Sequence, residues 1–153
     1  MPRRALALLA LVIALAAIAG CGGSDDGRGD YVKAVNQAQT TLAQRFRALQ
    51  ARIKPTSTPA EDRRTLTGYE TAVHEAVTDL RGVQPPSGLD GLHRRFIGEI
   101  ADYGTEVRRA RTALGSSRPQ AVIAAQRRLV TNVGRISARI NETISAINRK
   151  LKD

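Results

Sequence analysis

Residues 119–151 read PQAVIAAQRRLVTNVGRISARINETISAINRKL, and their apolar positions recur every three or four residues. This spacing puts the apolar side chains on one face of an α-helix and the polar ones on the other. It predicts a long amphipathic helix that begins near Pro119, since proline suits the first helical position. The predicted buried face consists of Val122, Ala125, Leu129, Val133, Ile136, Ile140, Thr143 or Ile144, Ile147 and Leu151.

Three further helices with the same periodicity are predicted, at residues 30–54, 59–82 and 88–114. No stretch after residue 29 alternates polar and apolar residues over a useful length, as a β-strand would. Because the connectors are short, consecutive helices must lie antiparallel. The sequence therefore predicts an all-α fold, an up-down-up-down four-helix bundle. Three helices with a kinked join before the last one, and a dimer of helical hairpins, are the alternatives.

Residues that start, stop or weaken helices mark these boundaries. Residues 58–61, Thr-Pro-Ala-Glu, predict a capping box, and residues 87–90 predict a looser one. Pro55 ends the first helix, because the residue before a proline is disfavoured in the α region. In the third helix, Gly98 and Gly104 each cost about 1 kcal/mol relative to alanine. Both glycines would let a neighbouring helix approach closely.

The first 29 residues have a different character. Arg3 and Arg4 precede an apolar run at residues 5–19, which is shorter than the roughly 20 residues of a spanning helix. This pattern is typical of a cleaved export signal; an uncleaved membrane anchor is the alternative, and the export route stays open. Residues 22–29, GGSDDGRG, contain no apolar residue and predict a flexible tether with an r.m.s. span of roughly 16 Å.

The apolar run ends in Ile18, Ala19, Gly20 and Cys21, and Cys21 is the only cysteine among 153 residues. Small residues directly before a lone cysteine resemble the lipobox of bacterial lipoproteins. This resemblance implies cleavage after Gly20, lipidation of Cys21 and attachment to the extracytoplasmic face of the cell membrane. As a whole the chain is similar to small helical lipoproteins of GC-rich bacteria, which implies a location and no activity. The expected domains are a signal peptide (1–20), the lipidated cysteine with its tether (21–29) and a helical bundle (30–153).

Basic residues are the main candidates for contact with a partner. With Arg3 and Arg4 removed, 22 basic residues remain against 14 acidic ones, a net charge of +8. In the last helix, Arg128, Arg135 and Arg139 lie along one side, and we interpret them as a surface for an acidic envelope protein or another anionic envelope component. An ordinary solvated face is the alternative. No nucleic acid is expected, because this helix has no aromatic residue to stack on bases.

The predicted topology also orients the bundle. In an up-down-up-down arrangement, the second connector and the end of the last helix lie at the same end as Cys21. Arg149, Lys150 and Lys152 then contact anionic headgroups, each contributing roughly 1 kcal/mol near such a surface. A solvated helix end, whose cations complement the helix dipole, is the alternative.

Two pairs of a histidine and a carboxylate are candidate metal ligands. Glu70 and His74 share a helical face, and Asp90 and His93 are three residues apart on the third helix. A di-iron bundle needs two Glu-x-x-His elements and two further core carboxylates, which this sequence lacks. We therefore interpret both histidines as surface residues and expect no metal.

Two carboxylates on the third helix, Asp102 and Glu106, are interpreted as part of a solvated face neutralised by Arg95, Arg108 and Arg109. No serine follows the pattern of a nucleophile elbow, and no glycine-rich loop would cradle a phosphate. We expect no enzyme and no cofactor, but a non-catalytic binding or structural module. The alternative is a small-ligand-binding or anion-binding bundle, with an internal pocket formed by Gly98, Ala101, Gly104 and Ala125.

Overall fold

The computed structural model describes residues 27–152, which form four α-helices. Each helix packs mainly against the next one in the chain, and the described residues include no β-strand. None of these helices combines the length and the apolar character needed to cross a membrane. The predicted all-α four-helix bundle is confirmed. The helices are α1 (Arg28–Gln50), α2 (Pro59–Arg81), α3 (Asp90–Ala113) and α4 (Pro119–Lys150).

The core consists mostly of the apolar positions that the 3.6-residue period predicts. Three rings meet in it from three helices: the Phe46 centroid lies 4.8 Å from that of Tyr69 and 5.2 Å from that of Tyr103. The Tyr69 hydroxyl donates to the Phe46 carbonyl at 3.3 Å, so this polar atom is satisfied inside the core. Five apolar residues at the three- and four-residue spacing of the helices are only partly buried: Ile53, Leu92, Leu114, Val122 and Ala125.

The first helix ends earlier than predicted. α1 stops at Gln50, whereas the sequence pattern extends it to Lys54. The amide groups of Arg52 and Ile53 each donate to a carbonyl three residues back, at 3.0 Å. These tighter turns take the chain out of the α-helix before Pro55 forbids its continuation, and Ile53 is left half-buried.

One of the two predicted capping boxes forms. Thr58 Oγ1 accepts from the Glu61 amide at 3.2 Å, and the Glu61 carboxylate accepts from the Thr58 amide at 2.7 Å. The box expected at residues 87–90 is wrong, because α3 begins after Leu89, which makes no side-chain cap. Leu89 is buried, and its amide donates to the Pro86 carbonyl at 3.1 Å in a turn. Core packing of Leu89 therefore decides this helix start.

Contacts between distant residues define the two ends of the bundle. At the N-terminal end, Arg28 Nη1 donates to the Leu151 carbonyl at 2.9 Å. This end comprises the start of α1, the connector 82–89 and the end of α4. At the far end, a Cβ atom placed on Gly115 would lie 3.9 Å from Arg63 Nη1. The far end comprises the connectors 51–58 and 114–118 with the adjoining helix turns.

Candidate binding surface at the far end

The residues predicted for membrane attachment divide between two parts of the chain. The lipobox, Ile18, Ala19, Gly20 and Cys21, lies outside the described residues. The three basic residues predicted to contact an anionic surface lie at the N-terminal end and are exposed: Arg149, Lys150 and Lys152. They share this end with the first residues of α1, as the topology predicts.

The predicted partner face on α4 is not uniform. Arg139 Nη2 donates to Asp102 Oδ2 on α3 at 2.7 Å, so this guanidinium group forms an ion pair between α4 and α3. Arg128 lines a surface cleft of about 400 Å³ between α3 and α4. Arg135 is exposed and has no carboxylate within 4.0 Å among residues 27–152. Arg128 and Arg135 thus have no carboxylate partner in the described chain, whereas Arg139 links α4 to α3 through Asp102.

Positive charge is concentrated at the far end. Residues 47–64 and 108–128 contain eleven basic and two acidic residues. The rest of the described chain contains eleven basic and nine acidic residues. Almost all of the excess positive charge therefore lies at the far end and on the adjoining turns. An electropositive surface of this kind raises the local concentration of anions.

Three of the eleven far-end cations lie near a carboxylate. Arg108 Nε is 3.9 Å and Arg111 Nε is 2.7 Å from Glu70, and Arg109 pairs with Glu106. Eight basic side chains of residues 47–64 and 108–128 are instead exposed, with no carboxylate within 4.0 Å in the part of the chain that the structure describes. They are Arg47, Arg52, Lys54, Arg63, Arg64, Arg118, Arg127 and Arg128.

A cleft of about 570 Å³ opens among the cations of the first connector. Arg52, Lys54 and Arg64 line it, together with the Ser57 hydroxyl. Ser57 Oγ accepts from the Lys54 amide at 2.9 Å, which leaves its O–H free to donate. Two guanidinium groups, an ammonium group and a hydroxyl are the donors that bind phosphate or carboxylate oxygens.

Two acidic residues, Glu61 and Asp62, also belong to this region. Glu61 lines the cleft, but its carboxylate accepts from both the amide and the hydroxyl of Thr58. These two hydrogen bonds lower the pKa of the Glu61 carboxyl. Asp62 is buried, and burial raises the pKa of its carboxyl. Neither carboxylate forms an ion pair with a lining cation within 4.0 Å among the described residues.

The interpretation of His93 as a surface residue is wrong. Its exposed fraction is 5 %, whereas His74 is exposed as predicted. His93 Nε2 lies 3.0 Å from the Leu80 carbonyl, and Nδ1 lies 3.2 Å from the Tyr31 hydroxyl. A carbonyl only accepts, so Nε2 carries the proton and Nδ1 accepts from Tyr31. This neutral histidine ties α1, α2 and α3 together at the N-terminal end.

The interpretation of Glu106 as a solvated carboxylate is also wrong, because its exposed fraction is 7 %. Glu106 accepts from Asn132 Nδ2 on α4 at 2.9 Å and is paired with Arg109. Asp102 is exposed and paired with Arg139, which is on α4 and not among the arginines predicted to neutralise it. Helical spacing alone does not show which face of α3 is covered by α4.

No group of three or more histidine, cysteine or acidic residues that would hold a metal gathers within residues 27–152. The small residues proposed to form an internal pocket also do not enclose one together. A Cβ atom on Gly104 would lie 3.0 Å from Val73 Cγ1, so α2 fills this space, whereas Gly98 faces open space. The gap beside Ala125 holds about 10 Å³, roughly the volume that a single water needs.

Sequence reasoning missed Arg52, Lys54 and Arg64 as a group. The available signal was the crowding of arginines around the two far-end connectors. Comparison with models of known protein families, with curated proteins and with solved structures finds no match to this chain. A functional assignment therefore depends on the chemistry of the surface itself.

Proposed function

We propose that the chain is an exported lipoprotein that serves, without catalysis, as a binding or structural module of the cell envelope. A lipid on Cys21 would hold the N-terminal end of the bundle near the membrane and leave the far end pointing outward. Six residues separate Cys21 from Arg28, and the tether predicted from the sequence would span roughly 13 Å over this length. The bundle would thus stand close to the bilayer, not on a long stalk.

The separation of the two ends is the observation that carries this proposal. α1 has 23 residues, so the far end lies about 35 Å from the start of α1. Most of the excess positive charge of the described residues lies at that distance from the proposed attachment point. A charged surface displayed away from the membrane suits contact with an anionic envelope component or an acidic partner.

The buried polar groups favour a structural role over a catalytic one. His93 joins three helices through Tyr31 and Leu80, and Glu106 joins α3 to α4 through Asn132. Each is held inside the bundle by other side chains or backbone groups. None of these contacts leaves a nucleophile beside a base at an open cleft.

The second candidate function, a small-ligand-binding or anion-binding bundle, has support only in its anion-binding form. The close approach of Val73 to Gly104 and the small gap beside Ala125 disfavour an internal pocket at those positions. The surface cleft among Arg52, Lys54 and Arg64 favours an anion. The two candidates then share one surface and differ in the size of the partner.

Attachment is tested by expressing the full chain in a bacterial host and measuring the mass of its mature N-terminus. The wild type and a Ser24→Ala control should lose residues 1–20, carry lipid on Cys21 and partition into detergent. Cys21→Ser should remain uncleaved and without lipid. Retention of Met1, or an unmodified Cys21, in the wild type would remove the proposed attachment and the orientation with it.

The proposed membrane contact of Arg149, Lys150 and Lys152 needs a separate test. The chain from Gly22 onward keeps every core residue, because the described core spans Tyr31 to Leu151. This lipid-free chain should bind anionic vesicles more tightly than neutral ones. Replacing the three residues with glutamine should weaken that binding. Equal binding to both kinds of vesicle, or no effect of the substitutions, would contradict a contact by this end.

A further inference from the structure

We infer that the far end of the bundle binds a phosphate-bearing polymer, with the cleft among Arg52, Lys54 and Arg64 as the central contact. This inference rests on the proposed function only in treating the bundle as a binding module. It does not require a lipid on Cys21. The two can therefore fail independently.

The cleft provides the contacts that one phosphate group requires. Arg52 and Arg64 are exposed guanidinium groups, whose planar forks match phosphate oxygens in bidentate geometry. Lys54 adds an ammonium group on the same wall, and the Ser57 hydroxyl keeps a proton to donate. The carboxylate on this wall, Glu61, is turned toward Thr58 by two hydrogen bonds.

The cations beyond the cleft favour a polymer over a single anion. Arg63 adjoins Arg64 on α2 and lies beside Gly115 in the other connector. The positive surface therefore continues from the cleft to the start of α4, where Arg118 is exposed. A single phosphate fills only the cleft, whereas a chain of phosphates also reaches these cations. A polymer that binds several of these cations at once also lowers the electrostatic repulsion among them.

The residues around the cleft argue against two other polyanions. Protein interfaces have apolar and aromatic cores, but Ala51 is the only apolar residue that lines this cleft. Single-stranded nucleic acids stack their bases on aromatic side chains, and the nearby rings Phe46, Tyr69 and Tyr103 are buried. A polymer that carries phosphates and presents neither a helix nor bases fits this surface best.

The inference is tested with the chain from Gly22 onward and long-chain polyphosphate as the probe, by calorimetry. The far-end variant carries Arg52→Gln, Lys54→Gln and Arg64→Gln, and the matched control carries Lys33→Gln, Arg81→Gln and Arg94→Gln, which are exposed and lie outside the far end. Both lose three exposed charges, so both should fold as the wild type does, which circular dichroism checks. We expect the far-end variant to lose about tenfold in affinity or more and the control less than about twofold.

Salt dependence gives a second readout of the same contacts. We expect a linear plot of the logarithm of the association constant against the logarithm of the salt concentration. Its slope should become shallower by about 2 in the far-end variant, since three phosphate contacts are removed. It should stay near the wild-type slope in the control. Equal losses of affinity in the two variants, or no binding by the wild type, would overturn the inference.

Two competitors identify the ligand chemistry. Inorganic phosphate, at the same total phosphate concentration, should not displace the polymer, and poly-glutamate of the same charge should bind more weakly. Displacement by inorganic phosphate would overturn the inference, because it would show that the cleft binds a single anion and not a polymer. Equal affinity for poly-glutamate would instead indicate an acidic protein partner. The chain used in these measurements begins at Gly22 and lacks Cys21. Their outcome therefore does not depend on lipidation, which separates this inference from the proposed attachment.

Discussion

The Tyr31 hydroxyl donates a hydrogen bond to His93 Nδ1 at 3.2 Å, and the two rings meet edge to face with centroids 5.5 Å apart. The opposite nitrogen of His93 donates to the Leu80 carbonyl at 3.0 Å. The imidazole therefore uses both nitrogens in its neutral form. A second proton on Nδ1 would reverse the bond to Tyr31, whose oxygen would then have to accept, and it would put a charge inside the bundle.

The first prediction concerns the pH dependence of stability. Burial lowers the pKa of His93 below 6.5, against smaller opposing effects of the Leu80 carbonyl and Asp90. Below pH 6.5 the unfolded state then binds more protons than the folded state. The free energy of unfolding should be constant above about pH 7.5. It should fall as the pH decreases through 6.5, by at most about 1.4 kcal/mol per pH unit for this one proton.

Urea unfolding at pH 7.5, 6.5 and 5.5 measures this slope. His93→Gln should remove it, because a glutamine amide can donate to Leu80 and accept from Tyr31 without titrating. His74→Gln is the matched control and should keep the wild-type slope, since His74 is exposed. An unchanged slope in His93→Gln would show that another group is responsible.

The second prediction compares two glycines of α3. Gly98 faces open space, so Gly98→Ala should raise the free energy of unfolding by about 1 kcal/mol through helix propensity. A Cβ atom on Gly104 would lie 3.0 Å from Cγ1 and 3.5 Å from Cβ of Val73, a stiff β-branched side chain. Gly104→Ala should therefore lower the free energy of unfolding by about 1 kcal/mol. Thermal melts of both variants check this, and equal stabilisation by both would be the contrary result.

The third prediction separates a buried carboxylate from an exposed one. Glu106→Ala leaves Asn132 and Arg109 without their acceptor and should cost about 2 kcal/mol of stability. Asp102→Ala breaks an exposed pair with Arg139 and should cost less than about 1 kcal/mol. Chemical unfolding of the two variants measures the difference. Similar costs would mean that the contact of Glu106 with α4 contributes little.

The fourth prediction concerns a buried threonine on α4. Thr143 is 1 % exposed, and its hydroxyl has no hydrogen-bond partner among residues 27–152. Thr143→Val has the same shape and should stabilise the fold by about 1 kcal/mol, because it removes an unsatisfied polar group. Thr65 is the control, since its hydroxyl donates to the Glu61 carbonyl at 3.1 Å. Thr65→Val should be neutral or destabilising in the same unfolding assay, and stabilisation by Thr65→Val alone would contradict this explanation.

The predicted start of α2 agrees with the structure. The Thr58–Glu61 box depends on atoms within one turn, and α2 begins there as predicted. The end of α1 and the start of α3 depend on how the connectors pack, as the half-buried Ile53 and the buried Leu89 show. Local spacing has no information about that packing, and both boundaries differ from the prediction. The start of α1 also differs, since the helix begins at Arg28 and not at residue 30.

The candidate site was less predictable than the fold. The sequence places Arg128, Arg135 and Arg139 on one helical face. In the structure, however, Arg139 forms an ion pair with Asp102 on α3. Arg52 and Arg64 are twelve residues apart in sequence and belong to no common periodicity, yet they line one cleft. A partner on another helix decides whether a charged side chain is free, and no single-helix pattern contains that partner.

The sequence by itself determined the helical class, the four segments and most of the core, because apolar periodicity and proline or glycine stops act within a segment. Short connectors then determined the antiparallel order of the helices. Only the tertiary structure decided that His93 and Glu106 are buried, since rotation and register between helices choose which polar positions are covered. The same packing brings Arg63 beside Gly115 and gathers the unpaired cations of two distant connectors at one end.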